Sequence, residues 1–374
     1  MQTFSEFQRG VLQDTAITQF IETGCILGSD KGRIQPASVD ILPDLNDIFE
    51  LDHFYPPRKG EKVETILSDL RVGGVARKIR GETLQKGKRY LVRIQERIQG
   101  LPFFVRMNPK SSPGRVFLHS RMITDGHTAY DEIYPEHQPG CHWMVLSPKC
   151  FNITLSDGEP ISQLRFFKGN DRLSRKELER EMSRNNFIDI PRQPSPLKDL
   201  TSAVPVLGSD IASNLLTVDM DCSIVAFKTK KNDDPILLSK RDINPSDYFE
   251  FITKDQTKGC GLVLRQETGY LFGSLERVRV PNFLAAEVVP YSEKYGELRS
   301  HFAGFIDPGF GCDSPNGNSI TFEIITQEPG IAVRHGQSIA EIQYEYMSNE
   351  PAKGYAGNYT TQLSGPQLPK YFKK

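Results

Sequence analysis

The stretch Tyr90–Phe104, YLVRIQERIQGLPFF, returns later in the chain as Tyr270–Leu284, YLFGSLERVRVPNFL. Both copies open with a short apolar run of β-forming residues, reach a Glu-Arg pair followed by a β-branched residue, and then meet a proline. Tyr270 stands 180 residues after Tyr90, and Pro281 stands 179 after Pro102. Upstream, SVDI at Ser38–Ile41 returns as TVDM at Thr217–Met220, with Val218 again 179 residues after Val39. Three anchors in one order at offsets of 179 to 180 mark a tandem duplication, because alternation alone would not hold the Glu-Arg pair and the proline in place.

The repeated unit is a β domain. GRVFLHSRMI, SITFEIIT and SIAEIQYEYM add further alternating runs bounded by Gly, Pro, Asn and Asp. Helical spacing is confined to Asp14–Ile26 and to Ser174–Phe187, the second opening on a Ser174/Glu177 capping box. The proline-dense Ile188–Pro205 reads as a linker. The expected organisation is mainly β: an amino-terminal domain over 1–190, a linker over 191–205 and a carboxy-terminal domain over 206–374.

With 46 basic against 47 acidic residues, the chain has no global field to draw a nucleic-acid polymer or an anionic membrane. Glu6, Arg9 and Asp14 interrupt the beginning where a signal peptide needs an apolar run, and no later run nears the roughly 18 apolar residues of a span. A soluble, cytoplasmic protein is expected. Six cysteines lack any Cys-x-x-Cys pair, and the histidines lack His-x-x-x-His or His-x-Glu spacing, so no zinc ligand set is expected.

The two copies differ in their polar clusters. Asn108–Arg115, NPKSSPGR, gathers a lysine, two serines, a Pro-Gly turn and an arginine. It is either a polar hairpin tip or a grip for an anion, since hydroxyls, turn amides and a guanidinium together satisfy phosphate oxygens. Its repeat partner, VPYSEKYG, places Val289, Pro290, Tyr291 and Lys294 against Lys110, Ser111, Ser112 and Arg115. The reverse holds further on. HFAGFIDPGFGC precedes SITFEIIT, where Glu323 interrupts an apolar strand; the first copy offers only ITDG at Ile123–Gly126, with Ser147 where the glutamate would fall. Glu323 either faces solvent by alternation or sits in a pocket as a proton carrier.

The order of these features, SVDI and TVDM, LERVRVP at Leu275–Pro281, KSSPGR at Lys110–Arg115, AGFIDPGF at Ala303–Phe310, ITFE at Ile320–Glu323 and NYTTQLSGP at Asn358–Pro366, resembles the dCTP deaminases of the trimeric dUTPase-like superfamily. The resemblance implies two fused antiparallel, jelly-roll-like domains and a double-length enzyme that converts dCTP and water to dUTP and ammonia. It implies a site between domains, one lending the phosphate loop and the other the hairpin, the glutamate and a tail that closes as a lid.

In that reading Glu323 moves the protons and Arg115 lies near it. The backbone around Ala303 and Ile306 reads the pyrimidine and positions water, while Asp307 meets the deoxyribose. Lys110, Ser111 and Ser112 grip the triphosphate with its Mg²⁺, which the nucleotide rather than the protein holds. Tyr359, Gln362 and Lys353 belong to the lid, and Phe310 packs either on the nucleotide or on the hairpin. Lys294 is a weaker counterpart of Arg115. The family's arginine before Ser-Ser is Lys110 here, Gly304 and Phe305 stand where it has His and Arg, and CDSPNGNS lengthens the path from Asp307 to Glu323.

The implied partners are dCTP or dUTP and further copies of the chain, as a dimer or trimer. A dUTPase, or a bifunctional enzyme releasing dUMP, is the rival reading, and an inactive nucleotide-binding regulator a third. Whether the composite site forms within one chain or between two is left open.

Overall fold

A computed structural model describes residues 7–79, 81–169, 171–185, 188–189, 214–257, 261–290, 303–359 and 364–373. In chain order the first half supplies β1 (Val39–Ile41), β2 (Pro43–Leu51), β3 (Ala76–Lys78), β4 (Arg89–Ile94), β5 (Phe104–Pro109), β6 (Leu118–Thr124), β7 (His142–Pro148) and β8 (Ser162–Lys168). The second half supplies β9 (Leu215–Asp219), β10 (Ile224–Thr229), β11 (Phe249–Thr253), β12 (Gly269–Ser274), β13 (Leu284–Val289), β14 (Phe305–Ile306), β15 (Thr321–Ile325) and β16 (Ser338–Tyr346). Four helices join them: α1 (Asp14–Glu22), α2 (Val63–Val72), α3 (Ser111–Arg115) and α4 (Arg175–Arg184).

The pairing repeats. In the first half β8 lies between β5 and β1, and a second sheet runs β6-β7-β4-β2-β3; in the second half β16 lies between β13 and β9, and β15-β12-β10-β11 run in the matching order. The landmarks that revealed the repeat have matching structural duties. The hydroxyls of Tyr90 and Tyr270 accept the amides of Gln85 and Arg265, each five residues upstream. Glu96 and Glu276, both buried, accept the backbone amides of Leu42 and Thr217. A buried carboxylate is tolerated only with such donors, which is why the Glu-Arg position is retained in both copies.

One core fills the first half, with Phe20 of α1 under Val92, Val105, Leu146 and Phe166, and it extends into the second half through Phe227, Phe249, Tyr371 and Phe372. A second core gathers Val218, Phe272, Phe322, Ile324 and Ile342, and receives Leu178 from α4. Both helices read from the sequence are present, although α1 stops at Glu22, where Gly24 takes positive φ. The Ser174/Glu177 capping box forms as expected. The segment NPKSSPGR is the end of β5 running into α3, not a hairpin tip. Helix α2 was not expected, yet Val63, Ile66, Leu67 and Leu70 follow the i, i+3, i+4, i+7 pattern and are buried. It covers the outer face of β4 and β7 with Leu91, Trp143 and Val145. Residues 191–205 lie outside the described residues. Among the described residues no helix is long and apolar enough to cross a membrane.

The halves are joined by charge as well as by apolar contact. Arg165 of β8 is fully buried and bonds Glu345 of β16, Glu287 of β13 at 3.2 Å and Asn108 of β5 at 2.7 Å. Asn108 in turn donates to Glu287 at 2.7 Å. Removing either side of such a seam would leave a buried charge unpaired, so it fixes the first half against the second next to the loop that β5 enters.

Candidate active site

A cavity of about 300 Å³ lies between the halves of a single chain, lined by Lys110, Ser111, Ser112 and Arg115 from one side and by Ala303, Ile306, Asp307, Phe310, Glu323 and Tyr359 from the other. Both sides of this cavity therefore come from one chain. On the first side, the Lys110 amide donates to Ile161 O at 2.9 Å, so the chain leaves β5 tied to the segment before β8. The Lys110 ammonium pairs with Asp40 of β1 at 2.6 Å, which gives the first Val-Asp landmark a duty in the site. The second landmark's Asp219 instead accepts the amide of Asp221. Ser112 Oγ lies 2.6 Å from the Tyr359 hydroxyl. Arg115, 5% exposed, stacks 3.6 Å from the centroid of the Tyr359 ring and donates to Gln367 O at 3.1 Å.

On the second side, β14 pairs with β13 and delivers the Asp307-Pro308-Gly309 turn, in which Gly309 adopts positive φ and donates to Val280 O. Gly304 is required there, because a Cβ would lie 2.3 Å from Val288 O. Asp307 Oδ1 finds no partner among the described residues, and burial raises its pKa to about 6, with Lys110 lowering it and Asp40 adding to the rise. Phe310 packs edge-on against Tyr355 at 5.5 Å, so its ring rests on the hairpin and lid.

Glu323 does not face solvent: it is 1% exposed and shares its strand face with Thr321, which also lines the cavity, while Phe322 and Ile324 enter the core. The added residues of the hairpin are absorbed as turns against Val278, where Asn318 forms an antiparallel bridge, and β15 resumes in register. Leu271 pairs with Glu323 and Tyr270 with Ile324, just as Leu91 pairs with Val145 and Tyr90 with Leu146. The first-half counterpart of the glutamate is thus Val145, not Ser147; counting from the loops misplaced it by two residues because loop lengths differ while strand register does not.

Lys353 is not in the cavity. Its amide and that of Ala352 bind the Asp14 carboxylate at 2.7 and 3.0 Å, and its ammonium donates to Ile34 O at 2.8 Å, which turns it toward α1. Gln362 and Lys294 lie outside the described residues. Sequence reasoning missed Asp40, Gln163, Tyr355 and Lys370, all of which line the cavity; of these, only Asp40 sat in a landmark the repeat had already drawn out. Among the described residues no group of three or more His, Cys, Asp and Glu side chains could hold a metal.

The fold and site can now be compared with known proteins. Residues 8–170 match the family model of the 2'-deoxycytidine 5'-triphosphate deaminase (DCD) N-terminal domain, and residues 198–372 match that of the DCD C-terminal domain. The chain belongs to the dCTP deaminase family. Among solved structures, the crystal structure of 2'-deoxycytidine 5'-triphosphate deaminase from Agrobacterium tumefaciens superposes with a TM-score of 0.79 at 25% identity, covering 92% of this chain and 97% of that one. The two chains are thus aligned over nearly their whole lengths. No match is found among curated protein sequences. In this chain the loop and the glutamate that line the cavity come from different copies.

Proposed function

We propose that this cavity deaminates dCTP hydrolytically, giving dUTP and ammonia, with Glu323 as general base and acid. The observation that carries the proposal is the placement of Glu323, buried and turned into the same cavity as Ser112 and Arg115 of the other half. Glu323 takes one proton from water as the oxygen bonds to C4 and passes it to the ring nitrogen, then takes the second from the new C4 hydroxyl and gives it to the amino group as the C4–N bond breaks, the C4 carbonyl forms and ammonia leaves; help of this kind is worth about 10²–10⁴ in rate. The backbone at Ala303 and Ile306 orients the pyrimidine and the water, and Asp307, with an unengaged oxygen, accepts from the deoxyribose hydroxyl. Phe310 supports the hairpin rather than the base.

Lys110, Ser111, Ser112 and Arg115 form a cationic, hydroxyl-rich end suited to phosphate oxygens. Asp40 is engaged by Lys110, so this donor set fits Mg²⁺ that arrives on the nucleotide rather than on protein ligands. The metal would neutralise phosphate charge. Tyr359 covers the phosphate loop as part of the lid, and Gln362 belongs to the same segment. The cysteines described (Cys25, Cys141, Cys150, Cys222 and Cys312) are free thiols, which supports a cytoplasmic setting. The family resemblance supports a homo-oligomer.

Purified protein supplied with dCTP and Mg²⁺ should release ammonia and form dUTP; with dUTP alone it should release no pyrophosphate. Pyrophosphate without ammonia would overturn the reading in favour of a dUTPase.

A further inference from the structure

We propose that Lys370, in the carboxy-terminal tail, is an additional phosphate-binding residue of this cavity, held in place by Glu159. The proposal rests on the functional reading above and names a residue beyond the landmarks of the phosphate loop and lid. Lys370 lines the cavity, and its ammonium lies 2.6 Å from Glu159 Oε1. It is at the phosphate end by connectivity. Glu159 is followed by Pro160, which also lines the cavity, and by Ile161, whose carbonyl accepts the amide of Lys110.

The charges there do not cancel. Glu159 is a single carboxylate facing two cations, Lys370 on one oxygen and Arg241 at 2.8 Å on the other. Lys110 by contrast is matched one-to-one by Asp40. The Glu159 cluster therefore carries a net positive charge, and Lys370 is its member that lines the cavity, where a triphosphate brings several negative charges. It also compensates for a lysine point charge standing at position 110, where an arginine would offer a bidentate fork.

Lys370 is preorganised. The next two residues, Tyr371 and Phe372, are buried in the first-half core, and the Phe372 amide donates to Pro369 O at 3.2 Å, so the backbone around Lys370 is fixed. The Tyr371 hydroxyl approaches Glu159 Oε1 at 3.5 Å and helps hold the carboxylate that aims the lysine.

The test is Lys370→Met, which keeps the aliphatic stem beside Tyr371, with Lys370→Arg as the conservative variant and Glu159→Gln as the positioning variant, all in the full chain. Steady-state ammonia release should show KM for dCTP raised about tenfold or more in Lys370→Met with kcat changed less than threefold, largely recovered in Lys370→Arg. Glu159→Gln should raise KM less. Titration calorimetry with dCTP should show the same loss in Kd and a shallower dependence on salt. An unchanged KM and Kd in a variant with a wild-type melting temperature would overturn the assignment, and so would a loss confined to kcat. If the wild type released no ammonia at all, the functional reading would fall, and the calorimetric comparison would still decide the role of Lys370.

Discussion

Replacing Glu323 by glutamine isolates its chemistry from its shape. The side chain is 1% exposed in β15, and an amide fills the same volume while the flanking Phe322 and Ile324 stay in the core. What is lost is the ability to take a proton from water and return it. General acid/base assistance is worth about 10²–10⁴, which at about 1.36 kcal/mol per decade is roughly 3–5 kcal/mol of barrier. The phosphate end is untouched, because Lys110, Ser112 and Arg115 come from the other half. Ammonia release measured by a coupled assay should therefore fall by about 10²–10⁴, while calorimetric affinity for dCTP stays within a few-fold. A variant that keeps more than a tenth of the wild-type rate would remove Glu323 from the mechanism, and one that loses binding in proportion to rate would make it a binding residue.

Other perturbations test the frame around it. In Gly273→Ala the added Cβ would lie 2.5 Å from the Gly365 backbone and push the tail that places Gln367 on Thr321 and Arg115; kcat/KM should drop about tenfold to a hundredfold with little change in melting temperature, and unaltered kinetics would show that the tail is not coupled to the site. Asp125→Ala removes the acceptor of the Val63 and Cys141 amides at 2.8 and 3.0 Å; urea denaturation should show a loss of about 1–3 kcal/mol with dCTP turnover per folded molecule preserved, and an unmoved midpoint would deny the contact its role. Burial raises the pKa of Glu276 from 4.5 to about 7, so the native state binds this proton more tightly than the unfolded chain does. Its contribution to stability is fully present below pH 4.5 and is lost as pH rises through about 7; Glu276→Gln should reduce the fall in stability between pH 5 and pH 8, and identical slopes in both proteins would refute the assignment.

The duplication was legible because its landmarks are structural. Tyr90 and Tyr270, and Glu96 and Glu276, satisfy corresponding backbone amides in both copies, and a group with that duty cannot drift. The loop residues Lys110 to Arg115 and the hairpin residues Ala303 to Phe310 were legible as polar clusters, and the structure gathers them with Glu323 in one cavity. Sequence alone could not place the counterpart of Glu323, because it was reached by counting through loops of unequal length, whereas strand pairing selects Val145. The resemblance implied a lid role for Lys353, but the Asp14 carboxylate captures that stretch of backbone from more than 300 residues away. Lys370 was missed because nothing local marks it; its position is set by burial of the two residues that follow.

The same register separates the two copies around the position of Glu323. Arg93 pairs with Trp143 at the position where Gly273 pairs with Thr321. In the first copy the Arg93 guanidinium lies over Trp143 at 5.9 Å, and α2 seals Trp143 and Val145 beneath Ile66, Leu67 and Leu70. In the second copy the bare Gly273 admits the tail, whose Gln367 amide binds Thr321, and Glu323 stays open to the cavity. Even the aspartate of the first hairpin has changed employment, since Asp125 anchors the first turn of the sealing helix. A carboxylate at position 145 would lie beside the apolar cluster that α2 covers and opposite Arg121 on the neighbouring strand, not beside a cavity shared with the other half. The first copy therefore differs from the second in packing at three places together, the cover of α2, the Asp125 anchor and the Arg93 strand position, and not in the residue at one position alone.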